Sequence, residues 1–177
     1  MDKGIKIFVT GGTFDKEYDM ITQQLAFKDT HLREIFELSR CTLNFNILTL
    51  MMIDSLQMTD KHREIIRLNC ELSEEKQIVI THGTDTMANT AAVLASAKLN
   101  KTIVLTGAMI PYKFGASDAF FNLGNALAFV QVLPDGVYIA MNGRFFMWDN
   151  VQKNQSSGLF EEVNKGKENP LVGAKST

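Results

Sequence analysis

Two threonines stand at glycine turns just past strands, where their hydroxyls would be presented to a ligand. The first is Thr13, within IFVTGGTFDKEYD (residues 7–19). Ile7, Phe8 and Val9 read as a buried strand, and Gly11-Gly12 let the chain turn where a side chain would obstruct it. Thr13 is thereby carried to the carboxyl end of that strand, which is where open parallel sheets bind ligands. The second is Thr84, within ITHGTDTMANTAAVL (residues 80–94). Gly83 permits a tight bend there, and Thr84-Asp85 begins a helix whose free amides stabilise negative charge, including a developing oxyanion. Each segment also has an ordinary reading: a strand-to-loop turn for the first and helix capping by Asp85 or Thr86 for the second. His82 has neither a cysteine nor a second histidine near it in sequence and reads as a structural hydrogen-bonding group.

The elements that must position these residues follow a regular order. Apolar, β-branched segments at KIFVT, FNILTLMMID (45–54), QIVITHGT (77–84), KTIVLTGAM (101–109) and GVYIAMN (136–142) read as strands. Amphipathic stretches lie between them. Leu32, Ile35, Phe36 and Leu38 have helical spacing in 30–40. Thr59 or Asp60 caps a helix over 61–73, with Ile65, Ile66, Leu68 and Leu72 on one face. The Ala-rich 85–99 and the apolar 118–133 are strongly helical. Alternation of strands and helices implies an α/β fold, an open and mostly parallel sheet with helices on both faces. Its connections are expected to be right-handed crossovers. Thr13, Asp54-Ser55, Thr84-Asp85 and Met109 all fall just after strands and converge on one crevice. Hydroxyls, carboxylates and glycines with little cationic charge suit a small polar substrate better than a polyphosphate.

Bulk properties narrow the class. The 177 residues suit one domain, expected over 1–162, and the polar 163–177 is expected to be loosely ordered. A net charge of -2 argues against nucleic acid as a partner. No apolar run approaches the roughly 20 residues that span a bilayer, so no membrane partner is expected. Two cysteines, Cys41 and Cys70, are too few for a disulfide framework or structural zinc site, and the expected location is cytoplasmic.

TGGT after the first strand, THGTDT before a helix, and TGAMIP followed by Ser117-Asp118 and FNLGNA occur in an order and spacing that resemble the bacterial-type L-asparaginase/glutaminase family. Any one of these motifs is weak; together they are specific, and the resemblance runs from about residue 5 to about residue 160. It implies hydrolysis of an L-amino-acid side-chain amide by a threonine nucleophile, with no metal or other cofactor. By position, Thr13 matches the nucleophile, Thr84 and Asp85 the second threonine and its aspartate, and Lys153 the lysine completing that set. Tyr18 matches the tyrosine of a mobile loop, and Ser55 the serine that holds the substrate's α-carboxylate. Gly12, Asp54, Gly83 and Ala108 join Ser55, Thr84 and Asp85 as candidate substrate-binding positions. Lys153 is left with two roles, a cation that orients the network or a neutral base.

Two departures qualify the resemblance. Usual members are two-domain proteins about twice as long, in which a neighbouring subunit supplies an acidic contact to the substrate's amino group. This chain resembles the short single-domain form, and Asp54 or Asp85 is expected to replace that contact or leave it unmade. Leu56 follows Ser55 where a glutamine or glutamate is common. The leading expectation is a homodimeric or dimer-of-dimers enzyme that hydrolyses L-asparagine, with glutamine a weaker substrate or none. The alternatives are the amidase subunit of a tRNA amidotransferase and a catalytically silent module binding small amino acids. A phosphate-binding domain ranks below these, since TGGTFDK is neither G-x-G-x-x-G nor a Walker A loop.

Overall fold

The computed structural model describes residues 4–164. The chain opens with β1 (Ile5–Gly11), then forms a hairpin from β2 (Lys16–Asp19) and β3 (Gln24–Phe27) before α1 (Leu32–Leu38). Next come β4 (Phe45–Ile53), α2 (Asp60–Leu72), β5 (Gln77–Thr81), α3 (Met87–Ser96), β6 (Thr102–Thr106), α4 (Ala119–Val132) and β7 (Gly136–Met141). Then β8 (Arg144–Met147) follows, with a second small hairpin from β9 (Gln152–Lys153) and β10 (Phe160–Glu161). The main sheet has six strands in the order β4-β1-β5-β6-β7-β8. All neighbours are parallel except β8, which pairs antiparallel with β7.

Strand alternation divides the core between the two faces of this sheet. Ile7, Val9, Val79, Val104, Tyr138 and Ala140 pack on one face with Leu32, Ile35 and Phe36 of α1 and Leu123, Ala126 and Val130 of α4. Phe8, Ile78, Ile80, Ile103, Leu105 and Ile139 pack on the other with Ile66 and Cys70 of α2 and Met87, Ala91 and Leu94 of α3. The expected α/β architecture is therefore present. The five expected strands and four expected helices all form.

The hand of the crossovers departs from expectation. α2 and α3 lie on one face and carry the chain from β4 to β5 and from β5 to β6; α1 lies on the opposite face and carries it the other way, from β1 to β4. Reversing both face and direction preserves hand, so these three crossovers agree. α4 shares the face of α1 yet carries the chain from β6 to β7, in the direction of α2 and α3. Its crossover has the opposite hand. What holds it is Asn122, fully buried on α4. Its Nδ2 donates to Gly107 O (3.0 Å) just past β6, and its Oδ1 accepts from Asn142 N (3.0 Å) just past β7. One amide thus bridges both ends of the connection.

Three further differences are local. β8 forms through an Asn142-Gly143 turn with φ of 56° and 79°, the two-residue hairpin that this dipeptide favours. On α2 the buried stripe is Arg63, Ile66 and Cys70, whereas Ile65, Leu68 and Leu72 face outward, as does Leu38 of α1. Thr59 is the cap of α2, in a capping box with His62. The expected loose segment over 163–177 lies outside the described residues from 165 onward. Asn122→Ala should leave the buried Gly107 carbonyl and the half-buried Asn142 amide without this partner and cost about 1–3 kcal/mol. A lower urea midpoint at unchanged slope is the expected result.

Candidate active site

β1 is flanked by β4 on one side and β5 on the other, so the sheet order reverses at β1 and opens a crevice at its carboxyl end. The residues that line it are set by backbone contact. Gly12 has a φ of 83°, a left-handed conformation suited to glycine, and a Cβ there would overlap the Gly83 backbone. A Cβ on Gly83 would in turn come within 2.6 Å of Ser55 Cβ and Oγ. Gly12 N donates to Ile53 O (3.0 Å), and the Thr86 hydroxyl donates to Ser55 O (2.8 Å). The loops after β1, β4 and β5 are thereby pressed together, and Thr13, Ser55 and Thr84 each lie on or beside a contact glycine.

Thr13 begins a 3-10 turn, Thr13–Asp15, whose Phe14 and Asp15 are fully buried while Thr13 stays half-buried. Its hydroxyl has no hydrogen-bond partner among the described residues. Thr84 is buried, and its hydroxyl oxygen accepts from Lys153 Nζ (2.9 Å) while its O–H donates to Met109 Sδ (3.5 Å). Lys153 Nζ also pairs with Asp85 Oδ1 at 2.7 Å. The lysine arrives from β9, whose hairpin is docked by Phe160 N donating to Asn142 Oδ1 (3.0 Å). Ser55 is 1% exposed, and its hydroxyl oxygen is buried without a partner.

The remaining predicted residues are placed less directly. Tyr18 stands on β2, opposite Leu25, and is about half exposed with no side-chain hydrogen bond among the described residues. The segment expected as a loop is a two-stranded hairpin. Asp54 is fully engaged, with Oδ2 on Lys16 Nζ (2.5 Å) and Oδ1 accepting from Leu56 N (3.0 Å). The Lys16 ammonium holds that carboxyl below its usual range. Ala108 is buried in the core, with the following Met109 and Ile110 amides donating to the Asp118 carboxylate at 3.0 Å. Leu56 points out into solvent.

His82 is structural. Its Nδ1 meets Gly83 O (2.7 Å) and its Nε2 meets Thr90 Oγ1 (2.8 Å), and complete burial lowers its pKa to about 4. Lys16 and Asp15 were not expected beside the site, whereas Met109 was expected at the crevice without a role. A lysine and an aspartate beside the first threonine carry no local signature of burial, and Met109 was legible only as the residue ending a strand loop. Among the described residues no group of three or more histidine, cysteine or acidic side chains is placed to hold a metal ion.

A half-buried hydroxyl, a lysine-held second hydroxyl and an unpaired third lie beside the backbone contacts at the switch point of an open α/β sheet. The chain belongs to the family described as "Asparaginase, N-terminal", whose model matches residues 4–174. It is 42% identical over 91 residues to the L-asparaginase of Thermococcus kodakarensis, covering 49% of this chain and 28% of that protein. It is 36% identical over 149 residues to a glutamyl-tRNA(Gln) amidotransferase subunit of the same organism, covering 78% of this chain and 33% of that one. The solved thermostable L-asparaginase from Thermococcus kodakarensis superposes with a TM-score of 0.79 at 28% identity, over 90% of this chain and 51% of that chain. The chain thus spans about half the length of that solved structure and less of the curated relatives.

Gly83→Ala should displace Ser55 and cost about 1–3 kcal/mol. Gly124→Ala, on α4 with no atom within 4 Å of the new Cβ, should gain about 0.5–1 kcal/mol. Thermal unfolding of the two variants side by side checks both signs.

Proposed function

We propose that the chain is an L-asparaginase that uses Thr13 as its nucleophile and releases L-aspartate and ammonia. The observation that carries this reading is the link from Lys153 to both Thr84 and Asp85 across 69 and 68 residues of sequence. A lysine at a lone surface position would be solvated, whereas this one is only 10% exposed.

In this mechanism Thr13 Oγ attacks the side-chain amide carbon as its proton leaves, giving a tetrahedral oxyanion that the crevice amides stabilise. Collapse expels ammonia and leaves an ester on Thr13, and water then hydrolyses that ester to return the hydroxyl. Tyr18 relays the proton of the Thr13 hydroxyl to the amide nitrogen, which leaves as ammonia, once the β2–β3 hairpin folds over the bound substrate and excludes water. Lys153 orients Thr84 as a cation, and Thr84 directs the hydrolytic water. The unpaired Ser55 hydroxyl donates to the α-carboxylate. Asp85 spends one oxygen on Lys153, and its other oxygen takes the α-ammonium group. Asp54 is unsuited to that contact because both its oxygens are occupied.

Free asparagine is the preferred substrate in this reading and glutamine the weaker one, an extra methylene being worth about 1–3 kcal/mol. The active unit is a homodimer or dimer of dimers, and the free thiols of Cys41 and Cys70 suit a cytoplasmic location. A second reading, the amidase subunit of a tRNA amidotransferase, is favoured by the longer stretch of similarity to the archaeal amidotransferase.

Ammonia release from L-asparagine and L-glutamine separates these readings. The expected result is preference for asparagine, with Thr13→Ala lower by roughly 1,000-fold or more and Lys153→Met by roughly 100- to 10,000-fold. Preference for glutamine would favour the amidotransferase reading. No release from either amide by a folded protein that still binds L-aspartate would favour a silent binding module.

A further inference from the structure

Asp15 is the one carboxylate the mechanism leaves unused that shares a turn with Thr13. It is 0% exposed. Its Oδ1 accepts from the Thr30 hydroxyl (3.0 Å) and from His31 N (3.2 Å), which ties the 3-10 turn to the residues that start α1. Its Oδ2 is buried without any partner. The neighbouring cations are already committed: Lys16 to Asp54, Lys28 to Glu17 at 2.6 Å, and Lys113 to Glu34 at 2.5 Å. The remaining charged or titratable groups around it offer no counter-charge. Asp29 repels it, and burial disfavours the charged form of His31, whose Nε2 lies 3.9 Å from Glu17 and whose ring lies 5.7 Å from that of Tyr112.

We propose that Asp15 is a positioning residue, a latch that holds the Thr13 turn and the base of the β2–β3 hairpin against the start of α1, and that releases more readily when its carboxyl ionises. The inference rests on Thr13 as the reactive hydroxyl only for its consequence in catalysis; the latch itself stands on the geometry of Asp15.

The sign follows from which form the closed turn prefers. Closed, the protonated carboxyl keeps Oδ1 as an acceptor for both donors and leaves no buried charge. Ionised, it strengthens those two bonds but leaves an uncompensated charge at Oδ2. Burial is the larger effect, and it raises the closed-state pKa from 3.8 to about 6. A group with a raised folded pKa favours the closed state fully below its ordinary pKa, and that preference is lost as pH rises to the folded value. Opening of the turn therefore becomes easier between about pH 4 and pH 6 and levels off above it. The two pKa values set the size of the effect at about a hundred-fold in the opening equilibrium. Asp15→Asn keeps an acceptor oxygen for Thr30 and His31 and cannot ionise, so it locks the latch.

Amide hydrogen exchange measured from pH 4 to pH 8, corrected for the intrinsic pH dependence of exchange, tests this without requiring turnover. In the wild type, opening at Phe14, Asp15 and His31 should rise about a hundred-fold from about pH 4 and level off above about pH 6, while core amides such as Val79 and Val104 change little. In Asp15→Asn the same amides should stay at their low-pH level. Thr30→Val, which removes one donor to Oδ1, should raise opening at every pH and move the pH at which it levels off upward, because that donor holds the closed-state pKa down. Identical pH profiles in wild type and Asp15→Asn would overturn the latch, as would a rise of equal size at Val79 and Val104. Loss of the asparaginase reading alone would appear as absent ammonia release with this exchange pattern intact.

Discussion

The site depends on one constraint, the direct approach of backbone to backbone at the carboxyl ends of three strands. A side chain at Gly12 would hold the loops after β1 and β5 apart, and one at Gly83 would displace Ser55 in the loop after β4. Because no side chain intervenes, three hydroxyl-bearing residues far apart in sequence, Thr13, Ser55 and Thr84, meet in a single crevice. Gly107 extends the pattern, since a Cβ there would overlap the His82 carbonyl. Backbone contact of this kind is rigid, and rigidity is what a hydroxyl nucleophile needs when its activation rests on orientation.

A second layer of buried polar groups maintains that contact. His82, neutral and fully buried, bonds Gly83 O and Thr90 and so fixes the bend that presents Thr84. Asn122 joins the ends of β6 and β7 and sustains a crossover of unusual hand. Asp118 accepts the amides of Met109 and Ile110 and contacts Asn122 Nδ2 (2.9 Å), linking that crossover to the Met109 side chain over Thr84. Each of these groups is satisfied by named partners, and buried polar networks favour a single arrangement only when satisfied. Asp15 and Ser55 each keep one unpaired buried oxygen, as does Thr81 at the end of β5. Unpaired groups stand ready for a ligand or a change of protonation, and Asp15 and Ser55 differ in which.

Much of the fold was legible because the sheet is buried on both faces: Ile7, Phe8 and Val9, or Ile78, Val79 and Ile80, are apolar whichever face they take. The hairpins were not. Lys16–Asp19 is polar and short, with no alternation to mark it, and the Asn142-Gly143 turn was passed over although its dipeptide signals a hairpin. The hand of the α4 crossover was not legible, since the Asn122 amide that bridges its two ends reaches groups 15 and 20 residues away. On α2, helical spacing identified an apolar group but assigned the wrong stripe, because Arg63 and Cys70 rather than Leu68 and Leu72 face the sheet. At the site, glycine turns after strands placed Thr13 and Thr84 at strand ends, but their reading as reactive groups came from the family resemblance. Lys153 was legible only through that resemblance, because nothing local distinguishes it from a solvated lysine. The burial of Asp15 was hidden for the same reason.

The central claim is that the glycine contacts present Thr13, rather than Thr84, to the substrate carbonyl. The most direct measurement is acid quenching of the protein within milliseconds of mixing with L-asparagine, followed by peptide mass spectrometry. The predicted result is an aspartyl ester on the peptide that carries Thr13. An ester on the Thr84 peptide, or turnover of asparagine with no covalent adduct on either, would contradict it.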